Sequence, residues 1–191
     1  MPCPVWLIKC RGSGSFRRIL AAVDVGDSDR PGEETRHAMN CRILEVASAL
    51  ARSECAELHV AYAWDAVGEA LMRGTTVDTP EKYVASYVRQ VKERGAANLE
   101  ALLGEVPEVA VPLASDCPKL KTHLVRGSAR KEIPALAKKL DVDLVVMGTV
   151  GRTGIPGLIM GNTAETILQQ VDCSVLAIKP PGFVTPVTLD A

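Results

Sequence analysis

From Arg17 onward, short apolar runs of β type alternate with longer stretches of helical periodicity, and this alternation restricts the chain to layered α/β packing. Ile19-Leu20-Ala21-Ala22-Val23 reads as a first buried strand. Residues 33–53 read as a helix with apolar positions around Ala38, Cys41, Leu44, Ala47 and Ala51. Residues 56–63 form a second strand, and 64–78 a loop. Thr79-Pro80-Glu81 predicts a helix start with Thr79 as N-cap and Pro80 at the first helical position. The stripe Val84, Val88, Val91, Gly95, Leu99 and Leu102 then keeps the helical period. Residues 120–126, 142–147 and 174–178 supply three more strands. The helices between them have Ile133, Leu136, Ala137 and Leu140, then Ala164, Ile167, Leu168 and Val171, on their buried faces. Pro134 fits its helix only in the first turn. The expected fold is a doubly wound, mostly parallel, five-stranded sheet with helices on both faces, Rossmann-like, and residues 3–9 are a candidate extra edge strand.

The stretch Gly148-Thr149-Val150-Gly151-Arg152 through Gly161-Asn162-Thr163-Ala164-Glu165 joins the strand at 142–147 to a fresh helix. Glycines let backbone approach an anion closely, and the first N–H groups of a helix have no partner of their own. The stretch is therefore a candidate phosphate cradle. A structural crossover whose glycines merely permit turns explains the same pattern equally well.

Composition narrows the classes. A net charge of −1 argues against a general nucleic-acid binder. No apolar run is long enough for a membrane span, and the first residues lack a basic leader with a long apolar core. The six cysteines form no C-x-x-C pair, which favours reduced thiols and a cytoplasmic location. His37, His59 and His123 are scattered, and no metal site is read from their spacing. Arg36, Arg42 and Arg52 read as the wet face of the first helix. Tyr62, Trp64, Met72, Tyr83 and Tyr87 read first as core packing, with a lid or apolar pocket as the other reading.

One repeat stands out. Cys3-Pro4-Val5-Trp6-Leu7-Ile8-Lys9 matches Cys173-Ser174-Val175-Leu176-Ala177-Ile178-Lys179 at Cys, Val, Ile and Lys. Residues 1–16 are accordingly read as the last strand of a preceding domain copy plus a linker, and 17–191 as the domain itself. The strand at 174–178 is a candidate dimer edge, which residues 3–9 could cover within the chain.

On these residues the chain resembles the universal stress protein family over about residues 17–180. Gly148, Gly151 and Gly161 have the spacing of the family's ATP-binding motif, and the strand order agrees. The phrases GTVGRTG and GNTAE, with the ending Ile178-Lys179-Pro180, are similar to the C-terminal domain of the family's tandem E type. The resemblance implies ATP, or a related ADP or AMP, with Mg²⁺ allowed. It implies that Ala22, Val23 and Asp24 meet adenine and ribose, and that Val60 lines the adenine pocket. Met147 and Gly148 would flank the nucleoside. Gly151, Arg152, Gly161, Asn162 and Thr163 would hold phosphates. Asn162 departs from the motif's Ser or Thr, and with Glu165 it reads as an N-cap and N3 acid that would compete with phosphate.

Three functions stay open. The favoured one is a stress-response sensor or regulator that binds nucleotide, with hydrolysis slow or absent, since no Lys-Ser/Thr phosphate-loop pair is present. An enzyme on the same fold is the second. A phosphoacceptor domain would need Asp where Arg126 and Gly127 stand, and no histidine signature of a nucleotidyl transferase follows the first strand. A dimerisation or apolar-ligand domain without nucleotide is the third.

Overall fold

The computed structural model describes residues 4–9, 15–26, 32–74, 79–110, 120–149 and 160–180. Its strands are β1 (Val5–Leu7), β2 (Arg18–Val23), β3 (Glu57–Trp64), β4 (Lys121–Arg126), β5 (Leu144–Gly148) and β6 (Ser174–Ile178). Its helices are α1 (Glu33–Glu54), α2 (Glu69–Met72), α3 (Glu81–Glu105), α4 (Pro107–Ala110), α5 (Ala129–Lys139) and α6 (Asn162–Gln170). The strands make one six-stranded sheet in the order β1-β6-β5-β2-β3-β4. All pairs are parallel except β1 with β6, so the expected five-stranded parallel sheet gains an antiparallel edge strand from the N-terminal segment.

Side chains alternate across each strand, and the sheet therefore has two cores. Ile19, Ala21 and Val23 of β2 join Val60 and Tyr62 of β3 and Val146 of β5 under α1 and α3. Leu20 of β2, Ala61 of β3, Val145 and Met147 of β5 and Val175 of β6 face α5 and α6. Leu44, Leu99 and Ile133 are almost wholly buried, each a gain of about 1.5–3 kcal/mol over exposure. Tyr62 and Trp64 belong to the first core, with Tyr87 packed against it, whereas Tyr83 is exposed.

Several local expectations shift. Pro80, not Thr79, stands at the N-cap of α3, with extended ψ of 137°. A residue without N–H loses nothing there, and the ring keeps its preceding residue out of helical conformation. Pro134 lies in the second turn of α5, inside the helix, where its buried ring offsets the missing backbone bond. The loop after β3 contains the short helix α2. Arg36 is not on the wet face: its side chain is 10% exposed and pairs with Glu33. Cys55 is disulfide-bonded, against the expectation of reduced thiols throughout, while Cys41 and Cys173 are thiols.

On the α5 side of β3 and β4, His59 Nδ1 and His123 Nε2 lie 2.8 Å apart, with the rings stacked. Burial is the main cause that lowers both imidazoles below their ordinary value of 6.5. Glu57, beside His59, opposes this, while Lys121 adds to it. With falling pH the unfolded chain therefore takes up protons before the folded one. Stability from this pair is complete above about pH 6.5 and is lost as the pH drops through the lower folded values. Urea midpoints measured from about pH 7.5 to about 5.5 should fall for the parent chain. Replacing both His59 and His123 by leucine should flatten that slope.

Candidate functional site

The carboxyl ends of β2 and β5 lie side by side, with Ala22 opposite Met147. The chain leaves β2 for α1 on one face of the sheet and leaves β5 for α6 on the other. A crevice opens where the windings part, the usual ligand position of such a sheet. Ala22, Val23 and Asp24 come to this edge at the end of β2, and Met147 and Gly148 at the end of β5. Val60 is fully buried, in register with Ala21 and two residues short of Tyr62. Gly151 and Arg152 lie outside the described residues.

Asn40 of α1 fixes the position of Asp24. Its Oδ1 accepts the Asp24 N–H at 3.0 Å, and its Nδ2 donates to the Asp24 carbonyl at 2.7 Å. The Asp24 side chain accepts the Gly26 N–H at 3.3 Å, so part of its acceptor capacity serves the turn. On α3, Asn98 donates to the Val25 carbonyl at 3.0 Å. These side-chain amides take the place of a strand partner where the sheet has ended.

Beside Asp24 lies a cleft of about 240 Å³. Its lining includes Asp24 and Gly26, Tyr62 of β3 and Asp65 just after it, Asn98 of α3, and Ser128 at the head of α5. Ligand pockets commonly span about 300–1,000 Å³, so this volume suits a nucleobase rather than a whole nucleotide. The segment with α2 is tied beside it. Tyr87 Oη accepts the Gly68 N–H at 3.2 Å, Glu69 pairs with Arg126, and Arg126 stacks over Trp64.

The second half of the site is the start of α6. Gly161 is the N-cap, with φ −76° and ψ 150° and no side-chain cap. The expectation that Asn162 caps this helix is corrected: Asn162 is its first residue, and its carbonyl accepts the Thr166 hydroxyl at 2.7 Å. Without an Asx cap, the N–H groups of Asn162, Thr163 and Ala164 are unused inside the helix. The Gly161 N–H donates to the Thr149 carbonyl at 2.7 Å, which draws this helix start against the end of β5. Thr149 is buried, and its Oγ1 has no hydrogen-bond partner among the described residues. Arg130, in the first turn of α5, reaches Thr163 Oγ1 at 3.4 Å. α5 also begins without a side-chain cap, at Ser128. Two uncapped helix starts and one guanidinium thus meet here, a combination that favours an anion.

Gly148 has a packing reason of its own. A Cβ there would lie 2.6 Å from Met39 Sδ, so the missing side chain admits α1. Sequence pattern does not mark Arg130, Asn40 or Asn98 as site residues, and it reads Tyr62 first as core packing, with a lid or apolar pocket as the other reading. A signal for Arg130 exists, since Ser128-Ala129-Arg130 opens a helix directly after a strand. Asn40 and Asn98 look like ordinary helical polar residues, and only the fold places their amides over the β2 end.

Replacing Asn40 by alanine strands two backbone groups at the edge of β2. We expect a loss of about 1–3 kcal/mol in chemical unfolding, the cost of leaving buried partners unpaired. A loss under about 0.5 kcal/mol would mean that water replaces the amide without penalty.

Comparison with known proteins agrees with this architecture. The model of the universal stress protein family matches residues 15–179. Universal stress protein E of Escherichia coli K12 is 28% identical over 190 residues, covering 99% of this chain and 55% of that protein. Its Haemophilus influenzae homologue is 28% identical over 180 residues, covering 94% and 53%. The chain thus spans about half the length of these curated relatives. A crystal structure of a functionally unknown protein from Pseudomonas aeruginosa PAO1 superposes with a TM-score of 0.66. It is 28% identical and is matched over 93% of this chain and 52% of that one. A universal stress protein of Lactobacillus plantarum, 18% identical, shares the fold at a TM-score of 0.61, over 87% of this chain and 99% of that one. With the family pattern running from the first buried strand to the last, the chain belongs to the universal stress protein family.

Proposed function

We propose that this domain binds an adenine nucleotide, ATP or the related ADP or AMP, and acts as a sensor or regulator in a stress response rather than as an efficient enzyme. The observation that carries the reading is the uncapped start of α6, held against the end of β5 by the Gly161–Thr149 bond and faced by Arg130. The phosphates would sit on the N–H groups of Asn162 and Thr163, and the family resemblance adds Gly151 and Arg152 as phosphate-binding residues. The base would enter the cleft beside Asp24 and Tyr62, and the ribose would meet the Asp24 carboxylate. Ala22, Val23, Met147 and Gly148 would form the floor, and Val60 would support it from below. Mg²⁺ would accompany the triphosphate. No Lys-Ser/Thr pair of a phosphate loop stands in the sequence, which supports slow or absent hydrolysis.

Isothermal titration with ATP, ADP and AMP tests the reading. Binding should be measurable at or below about 1 mM, and Gly151→Asp should abolish it. Arg130→Ala should weaken ATP about tenfold, or about 1.4 kcal/mol, and AMP much less. No heat with any of the three would favour a dimerisation or apolar-ligand domain instead.

We also propose that residues 1–16 carry the last strand of a preceding domain copy and its linker, with 17–191 as the domain proper. Within the matching segments, β1 and β6 lie antiparallel, with Val5, Trp6 and Leu7 opposite Ala177, Leu176 and Val175. In the sequence repeat Trp6 corresponds to Leu176, so the pairing is symmetric about that position, as at an isologous interface. Lys9 Nζ completes the join by donating to the Leu168 and Val171 carbonyls at the end of α6, at 3.0 and 2.6 Å. Removing residues 1–14 should free β6 to pair with a second copy about the same axis. Light scattering should then show a dimer, and a truncated chain that stays monomeric would count against this arrangement.

A further inference from the structure

The geometry points to a Zn²⁺ site on the outer flank of α1, built by His37, Cys41 and Glu105. His37 and Cys41 are four residues apart on α1 and therefore share one helix face. Glu105 is the last residue of α3 and closes the third side. His37 Nε2 lies 3.6 Å from Cys41 Sγ and 2.9 Å from Glu105 Oε2. All three ligand atoms fall within 4.8 Å of one another.

Tetrahedral zinc takes imidazole nitrogen at about 2.0–2.1 Å, thiolate sulfur at about 2.3 Å and carboxylate oxygen at about 2.0–2.2 Å. Those bond lengths put nitrogen and sulfur about 3.5 Å apart around one ion, and nitrogen and oxygen about 3.3 Å apart. The first separation is already present between His37 and Cys41. The second needs Glu105 to draw back by a few tenths of an ångström, which a half-exposed side chain at a helix end can do.

The donor set also selects the ion. Imidazole with thiolate suits zinc, whereas Mg²⁺ and Ca²⁺ take oxygen ligands and leave thiolate aside. The side chains of His37 and Glu105 are 45% and 55% exposed, so an ion enters from solvent and a water completes the fourth position. Glu45, a further carboxylate close to Cys41, is paired with Arg42 at 2.9 Å. Zn²⁺ here fastens the early turns of α1 to the end of α3. The same α1 turns carry Met39 against Gly148 and Asn40 against Asp24. Sequence pattern alone does not reveal this trio, because Cys41 reads as part of an apolar stripe and Glu105 comes from a different helix.

The test is a Co²⁺ titration of the whole chain, followed by displacement with Zn²⁺. The expected result is a thiolate-to-cobalt charge-transfer band, with d–d bands of tetrahedral intensity, saturating at one equivalent and removed by Zn²⁺. Cys41→Ser should abolish the charge-transfer band, and Cys173→Ser should leave it intact. His37→Ala and Glu105→Gln should each weaken Co²⁺ binding at least tenfold. All three ligand positions are at least partly exposed, so circular dichroism and apo melting temperature should stay close to the parent's. Weak six-coordinate bands, or a charge-transfer band that survives Cys41→Ser, would overturn the site. If the cysteine variant does not fold, Glu105→Gln takes its place, and an undiminished Co²⁺ affinity there overturns the site as well.

Discussion

Parallel pairing of β2 with β3 on one side and β5 on the other is the constraint on which the rest depends. Arg18 to Val23 pair with Glu57 to Tyr62, and Ile19 to Ala22 with Leu144 to Met147. A strand paired on both edges must bury both faces, and its sequence obliges: Ile19, Leu20 and Ala21 are wholly excluded from water. Right-handed crossovers then send α1 and α3 to one face and α5 and α6 to the other. The crevice between the β2 and β5 ends follows from that parting and needs no residue dedicated to it.

How far the sequence can be read depends on the range of the interactions. The long apolar runs and the α3 stripe are legible because burial sets their period residue by residue. Where two local rules compete, the outcome is not legible. Thr79 and Pro80 both suit a helix start, and the ring takes the N-cap. Asn162 favours a cap in isolation, but the Gly161–Thr149 bond fixes Gly161 as the turning point and shifts Asn162 into the helix. The amide clamps from Asn40 and Asn98 are beyond reach. Their partners are backbone atoms at the end of β2, brought near only after the sheet has formed.

The N-terminal segment shows why a short strand can matter. β1 has only three residues and would not persist alone, yet it pairs along β6 and Lys9 is anchored beyond it. Ser174 Oγ exchanges bonds with the backbone of Lys9 at 3.2 and 3.3 Å, extending the join past the ladder. Trp6 stacks on Phe16 at 5.8 Å, and Phe16 itself packs against the first core. An apolar parallel edge such as Ser174–Ile178 is an aggregation hazard unless covered, and these contacts cover it with a local two-fold match.

α1 connects the separate parts of the molecule. Its inner face supports both ends of the crevice, Met39 under Gly148 and Asn40 on Asp24. Its flank presents His37 and Cys41 to Glu105, and its last turn is tied to α4 through Arg52 and the Glu108 carbonyl. Gly148 shows how packing and recognition become entangled in such a place. Its missing side chain makes room for the Met39 thioether, so a bulkier residue would have to move that side chain before it ever met a ligand. A glycine in a phosphate-binding pattern can therefore be fixed by the helix behind it. The glycine that faces the helix start is Gly161, whose extended ψ and bond to Thr149 leave the following amides unused within α6. On the nucleotide reading proposed above, Gly161 and Arg130 rather than the first glycine of the series would carry the anion recognition.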